Sequence, residues 1–357
     1  MSKYWSRGIA GLATYVPGEQ PQDRRYVKLN TNENPYPPSP RVLEAIQKAN
    51  DERLRLYPDP ECVVLREAIA RRHRLTREEV FVGNGSDEIL AFAFAAFFDR
   101  GEAILYPDIS YSFYPVYADF FKLSSRTVAL NGDFSIPVDA FLVPNGGIIF
   151  PNPNAPTSIA LGLGEIRRIL DHNLALGRVV VIDEAYVDFG AESSTGLVGD
   201  YPNLLVVQTL SKSRSLAGLR GGFAFGHRDL VEGLSRVKNS INSYTLDRLV
   251  QAGATAAILD EAWFEETRVR VMRTRDRVAA QLRALGFDVA DSRANFLFIS
   301  HARAPAAELY SRLKEKGVLV RYFKKPRIDN HLRVSVGTDE EMDGFLVALS
   351  GILGSLR

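Results

Sequence analysis

A series of short, almost wholly apolar runs constrains this chain more than any other feature. They lie at 80–82, 103–106, 147–150, 178–182 and 204–207. Each is too short for a buried helix and shows no apolar–polar alternation, the pattern of strands covered on both faces. Stretches of helical character, 89–98 and 163–176, fall between them. Strands alternating with helices in this way predict an α/β fold with a mostly parallel central sheet. In such sheets ligands sit beyond the carboxyl ends of the strands. Chemistry is therefore expected in the residues that follow each run.

A length of 357 residues exceeds one small core and predicts a large domain with a smaller one. Residues 1–28 read as an N-terminal arm, irregular around Pro17, Gly18 and Pro21. The large domain is expected over 29–243, with further helices at 41–53, after Ser39-Pro40, and at 63–73. A smaller α+β unit is expected over 244–357. It begins with one long charged helix pattern at 246–285 and continues through strands at 287–290, 296–300, 318–321 and 331–337. A net charge of +1 leaves no electrostatic footprint for nucleic acid or a membrane surface. Cys62 is the lone cysteine, which excludes an internal disulfide, suits a reducing cytosol and has no companions for a metal site. The stretch 9–16 is interrupted by Gly11 and lacks the apolar centre of a signal peptide. No run approaches the roughly 18 residues that a bilayer requires. A cytoplasmic protein with small-molecule partners is expected.

The run at 204–207 leads into Gln208-Thr209-Leu210-Ser211-Lys212, with Arg220 eight positions further on. Hydroxyls there can donate to an anion, and a guanidinium forks onto phosphate oxygens. A lysine kept partly dry beside such cations has a lowered pKa and can attack an aldehyde. The run at 80–82 feeds Gly83-Asn84-Gly85-Ser86-Asp87-Glu88 and then a helix, so free N–H groups and a positive dipole end converge. After 103–106 come Tyr111, Phe113, Tyr114 and Tyr117, and 178–182 delivers Asp183-Glu184-Ala185-Tyr186. Singly, each has a plainer reading: a solvated lysine, a tight turn with Ser86 as N-cap, an aromatic core stripe. At the ends of one sheet they make a site for a phosphorylated aromatic aldehyde. Lys212 would form the Schiff base, Asp183 would hold a pyridinium nitrogen protonated, and Tyr186 would bond the phenolic oxygen. Gly85, Ser86, Thr209, Ser211 and Arg220 would hold the phosphate, and Tyr111 would stack on the ring.

With these residues the chain resembles the fold-type-I pyridoxal-phosphate-dependent aminotransferases. The resemblance runs from Leu29-Asn30-Thr31-Asn32-Glu33-Asn34-Pro35 to His331-Leu332-Arg333-Val334-Ser335-Val336-Gly337. Its most telling pieces are Tyr57-Pro58-Asp59-Pro60, Asn84-Gly85-Ser86-Asp87-Glu88, Asp183-Glu184-Ala185-Tyr186, and Thr209-Leu210-Ser211-Lys212 through Arg220. It implies the aspartate-aminotransferase-like fold, pyridoxal 5′-phosphate as cofactor, and a homodimer in which Tyr57 reaches the cofactor phosphate of the partner subunit. It also implies Asp87 among the cofactor contacts, and Arg333 on the substrate's anionic end with Arg321, Tyr15 and Asn32 assisting. Where the family usually reads Asn-Pro-Asn-Asn-Pro-Thr-Gly, this chain has Asn152-Pro153-Asn154-Ala155-Pro156-Thr157-Ser158. Asn154 is the expected cofactor contact, since Ala155 has no side-chain donor. Ser158 asks the turn to do without the residue most at ease at positive φ. The activity implied is amino transfer between histidinol phosphate and 2-oxoglutarate. An aromatic amino-acid aminotransferase and a threonine-phosphate decarboxylase are rivals that pattern separates poorly. A non-catalytic cofactor-sensing regulator would carry a helix-turn-helix segment and a basic stripe, and neither is found in the sequence.

Overall fold

The computed structural model describes residues 3–355; residues 1–2 and 356–357, the outer ends of the expected arm and C-terminal unit, lie outside the described residues. The strands are β1 (Val27–Leu29), β2 (Val80–Asn84), β3 (Ile104–Pro107), β4 (Ser125–Val128), β5 (Ile148–Pro151) and β6 (Val180–Asp183), followed by β7 (Leu204–Thr209), β8 (Gly221–Gly226), β9 (Phe287–Val289), β10 (Phe296–His301), β11 (Val318–Tyr322) and β12 (His331–Ser335). The larger sheet runs β2-β8-β7-β6-β5-β3-β4. Its neighbours are parallel except at β8, which is antiparallel to β2 and to β7. This is the mostly parallel sheet that the apolar runs predict.

Alternate residues of β2, β5, β6 and β7 feed two separate cores. Val80, Val82, Phe150, Ile182 and Val206 face one, under helices Pro40–Ala49, Val63–His73, Leu163–Ala175 and Arg248–Leu259. Phe81, Ile149, Val181 and Val207 face the other, under helices Gly85–Phe97, Phe113–Phe121 and Arg228–Ile241. Each such side chain contributes about 1.5–3 kcal/mol when buried, which leaves no place for a polar residue in the runs.

The smaller sheet runs β1-β11-β12-β10-β9 and is backed by helices Glu261–Ala284, Ala306–Glu315 and Asp339–Ser355. Two expectations change here. The pattern at 246–285 is not one helix: it divides at Asp260, whose φ of −92° and ψ of 73° leave the helical range. The buried Asp260 carboxylate accepts a short hydrogen bond from the Ser39 hydroxyl, so its backbone follows that anchor. Helix Arg248–Leu259 packs on the large sheet's core, through Val250, Ala254 and Ala257. The end of the expected arm pairs in parallel with β11, Val27 beside Val318. From this packing we propose that the C-terminal unit begins at Asp260, not at 244, and borrows β1 from the N-terminal segment. The helix expected at 41–53 ends at Ala49, and a separate short turn covers Glu52–Arg55.

Among the described residues no helix is long and apolar enough to cross a membrane, and no group of acidic, His or Cys side chains is placed to hold a metal ion. The role of Asp260 is open to test by urea denaturation. Asp260→Ala, which strands the buried Ser39 hydroxyl, should lower stability by about 1–3 kcal/mol. Glu266→Ala, which breaks only the exposed pair with Arg270, should change it by less than about 1 kcal/mol. Equal effects would mean that Asp260 is no anchor.

Candidate active site

The carboxyl ends of the large sheet carry the chemistry. Asp183 ends β6, in register with Pro151 of β5 and Val207 of β7. Thr209 ends β7, and its hydroxyl accepts the Ser211 N–H at 3.1 Å and donates to the Ser211 hydroxyl at 3.0 Å. The Leu210 N–H donates to the Gly221 carbonyl at 3.0 Å, which ties the loop back to β8. Arg220, in the left-handed region at φ 58°, thereby returns to the edge that carries Lys212.

An anion cradle forms where these pieces meet the turn between β2 and helix Gly85–Phe97. Gly85 has φ 79°, and a Cβ there would lie 2.7 Å from the Arg220 guanidinium. A Cβ on Gly222 would lie 2.5 Å from the Gly85 carbonyl carbon, so glycine is required on both sides of this contact. The Asp87 carboxylate accepts from the Tyr111 hydroxyl at 2.7 Å and from Arg220 at 3.2 Å, joining the aromatic wall to the cradle's cation.

Asp183 and Lys212 face one cavity of about 390 Å³. Burial pushes the Asp183 carboxyl up to about 7, against hydrogen bonds from the Ala185 N–H and the Tyr114 hydroxyl, each at 3.2 Å. No cationic side chain pairs with it among the described residues. Burial, and then the Arg333 charge, pull Lys212 down to about 8. Its Nζ donates to the Thr31 carbonyl at 3.2 Å and stands 5.8 Å from the Tyr186 ring centroid. The Tyr186 hydroxyl accepts from the Asn32 amide at 3.0 Å.

The opposite wall comes from the small unit and the N-terminal segment. Arg321 and Arg333 are directly opposed across β11 and β12. Arg333 donates to the Asn30 carbonyl at 2.9 Å, while its Nε is buried without a partner. The Phe323 face lies 5.7 Å from each guanidinium. Tyr15 stacks on Phe113 at 4.2 Å, so the N-terminal segment covers the aromatic wall.

Of the residues expected from sequence, Ser86, Asp87, Tyr111, Asp183, Tyr186, Thr209, Ser211, Lys212 and Arg220 line this cavity, joined by Tyr15, Asn32, Arg321 and Arg333. Asn154 does not. It is fully buried and donates to the Ile109 carbonyl and the Thr157 hydroxyl, both at 2.9 Å, while Ala155 and Pro156 form the wall. The Ser158 N–H closes the turn onto the Asn154 carbonyl at 2.7 Å, which draws Asn154 inward. Ser158 itself takes φ 67°, so the turn keeps its left-handed residue without glycine. Tyr57 is also outside the cavity, 79% exposed and stacked on Tyr244 at 4.6 Å. Sequence reasoning missed Tyr114 as the Asp183 donor and Asn34, whose amide holds the Lys212 carbonyl at 3.0 Å. Tyr114 belonged to the aromatic cluster after 103–106 but carried no sign of its partner.

A buried carboxylate lacking a cation, an aromatic wall, an anion cradle and a lysine with a depressed pKa fit a phosphorylated pyridinium aldehyde. Fold and site together define an α/β protein whose sheet-end cavity holds a buried lysine amine. The chain matches the family profile "Aminotransferase class I and II" over residues 24–349 and belongs to that family. It is 56% identical over 346 residues to a histidinol-phosphate aminotransferase of Clostridium acetobutylicum, covering 97% of this chain and 98% of that protein. It is 53% identical over 355 residues to the Clostridium beijerinckii protein of the same name, covering 99% of each. Its fold matches that of Sinorhizobium meliloti histidinol-phosphate aminotransferase in complex with pyridoxal-5′-phosphate, with a TM-score of 0.88, 21% identity, and 100% and 99% of the two chains covered.

The lowered lysine pKa has a direct consequence in cofactor-free protein. Acylation of Lys212 by a small reagent, followed by peptide mass spectrometry, should rise with pH through a midpoint of about 8. Arg333→Met removes a neighbouring cation and should move that midpoint upward. A wild-type midpoint in the ordinary lysine range would make Lys212 a solvated side chain.

Proposed function

We propose that this aminotransferase moves an amino group between histidinol phosphate and 2-oxoglutarate, with pyridoxal 5′-phosphate held in the cavity described above. The observation that carries the substrate reading is the cross-strand pair Arg321 and Arg333. Like charges directly opposed on a sheet repel, and a bound anion converts that repulsion into attraction. Two guanidiniums suit a dianionic phosphate and, in the second half-reaction, a carboxylate. The Clostridium relatives named above carry the same activity in their names.

When bound, pyridoxal 5′-phosphate supplies a protonated ring that draws electrons from the substrate's reacting carbon. Asp183 keeps the proton on the ring nitrogen, and the ring's positive charge in turn favours the ionised carboxylate that burial alone opposes. The Ser86 N–H at the helix terminus, the Thr209 and Ser211 hydroxyls and Arg220 hold the phosphate. Asp87 acts behind them, orienting Arg220 and Tyr111, because its carboxylate can only accept. Tyr111 stacks on the ring, and Tyr186 donates to the phenolic oxygen. Lys212, part neutral at physiological pH, would take the proton from the substrate's reacting carbon as a base and, once protonated, serve as the acid that gives it back.

The active form in this proposal is a cytoplasmic homodimer. Tyr57 is exposed and lies outside its own cavity, and exposed Leu43, Leu54, Leu56 and Val64 come from the same part of the chain. Arg248 and Gln251 hold the Tyr57 loop through the carbonyls of Tyr57 and Asp59, at 3.4 and 2.9 Å. A second copy would cover this apolar area and receive Tyr57 at its phosphate.

The test is a panel of amino donors with 2-oxoglutarate. Histidinol phosphate should exceed dephosphorylated histidinol and phenylalanine in kcat/KM by at least about tenfold, the worth of one charge-assisted hydrogen bond of about 1.5–3 kcal/mol. Arg333→Lys, which loses the planar fork, should raise KM for histidinol phosphate and glutamate alike. If phenylalanine or tyrosine proves the better donor, the protein is an aromatic aminotransferase.

A further inference from the structure

We infer that Ser335 is a positioning residue for this reaction: acting through Asn32, it sets the direction in which the Tyr186 hydroxyl donates its proton. The inference rests on the reading of Tyr186 as the partner of the ring's phenolic oxygen.

Asn32 is held at each of its polar groups. Its backbone N–H donates to the Ser335 Oγ at 2.8 Å, and its side-chain Oδ1 accepts the Ser335 proton at 2.9 Å. Its carbonyl accepts from the Asn295 amide at 3.0 Å, and its Nδ2 donates to the Tyr186 hydroxyl at 3.0 Å. Asn32, Ser335 and Asn295 are all buried, so a lost partner is not readily replaced by bulk water. The chain takes φ 56° at Asn32, a left-handed geometry that asparagine tolerates better than most residues.

Donor counting then fixes the amide. A serine hydroxyl has one proton, and the Ser335 oxygen already receives the Asn32 backbone N–H, so that proton goes to Oδ1. Turning the amide over would set Nδ2 on the second lone pair of the Ser335 oxygen and leave the Ser335 proton without a described acceptor. A buried, unpaired donor is strongly unfavourable, so Nδ2 stays on Tyr186. The Tyr186 oxygen therefore accepts from behind and keeps its own proton to donate. No described residue takes that proton, which leaves the cavity as its destination. With the amide reversed, Tyr186 would donate to Oδ1 and present only lone pairs to the ring.

Ser335 and Arg333 sit two residues apart on β12 and so share a face of the sheet. One strand of the small unit thus carries both the guanidinium assigned to the substrate's anion and the hydroxyl that governs Tyr186. The charged groups near Tyr186 include Arg333, Asp183 and Asp87, with the Lys212 Nζ 5.8 Å from its ring centroid, and a change at Ser335 leaves all four in place.

The experiment has two arms and uses Ser335→Ala, Ser335→Thr and Tyr186→Phe. In cofactor-free protein, the ring-carbon NMR resonance bearing the Tyr186 hydroxyl, assigned by its loss in Tyr186→Phe, should shift in Ser335→Ala. It should return in Ser335→Thr, which restores the hydroxyl. In protein loaded with pyridoxal 5′-phosphate, the pH midpoint of the cofactor's visible-absorbance change is read. A donor to the phenolic oxygen favours the more negative, deprotonated form, so Ser335→Ala and Tyr186→Phe should each raise the midpoint by about one pH unit. Combining Ser335→Ala with Tyr186→Phe should add nothing, because both remove the same donation. An unmoved resonance in Ser335→Ala, or an additive double variant, overturns the inference. A moved resonance with midpoints unchanged in all variants leaves Ser335 governing Tyr186 and instead removes Tyr186 from the phenolic oxygen.

Discussion

The structure depends on the burial of a carboxylate, Asp183, that pairs with no cationic side chain among the described residues. Taking an isolated charge out of water is costly unless it is paired, and in practice the group shifts toward its neutral form. Asp183 does so: two hydrogen bonds hold it, yet its pKa is pushed up to about 7. Burial, with the Arg333 charge, acts in the opposite direction on Lys212, drawing it down to about 8. A base brought down to about 8 and an acid made reluctant to ionise thus face one cavity. Titratable groups perturbed by burial and gathered in one cavity are characteristic of functional sites.

The sheet makes this arrangement reproducible. Parallel strands in register bring Pro151, Asp183 and Val207 level with one another, and each following turn opens on the same side. The small unit then closes the cavity with β12, and the N-terminal segment ties the two together. Asn30 receives Arg333, Asn32 receives Ser335 and Asn295, and Asn34 holds the loop of Lys212. That segment is short and irregular, and its carbonyls at Asn30 and Asn32 and its amides at Asn32 and Asn34 join the sheet ends to the smaller unit.

What could be read from the sequence follows a physical line. The β5, β6 and β7 runs were legible because both faces are buried and polar residues are excluded from them. Asp183, Lys212 and Arg220 were legible because local spacing sets them at strand ends. Contacts set by distant partners were not. Asn154 turns inward toward the Ile109 carbonyl, which no pattern within 152–158 reveals. The helical periodicity of 246–285 continues through Asp260, whose break depends on Ser39. β1 has three residues, and its partner lies near the other end of the chain.

The central claim, that Lys212 is the amine that meets the cofactor's aldehyde, is tested most directly by borohydride reduction. Protein loaded with pyridoxal 5′-phosphate is reduced, digested and mapped by mass spectrometry. The account predicts the cofactor's mass on the peptide containing Lys212, and its loss from that peptide in Lys212→Ala. Attachment to another lysine in the wild-type protein would contradict it.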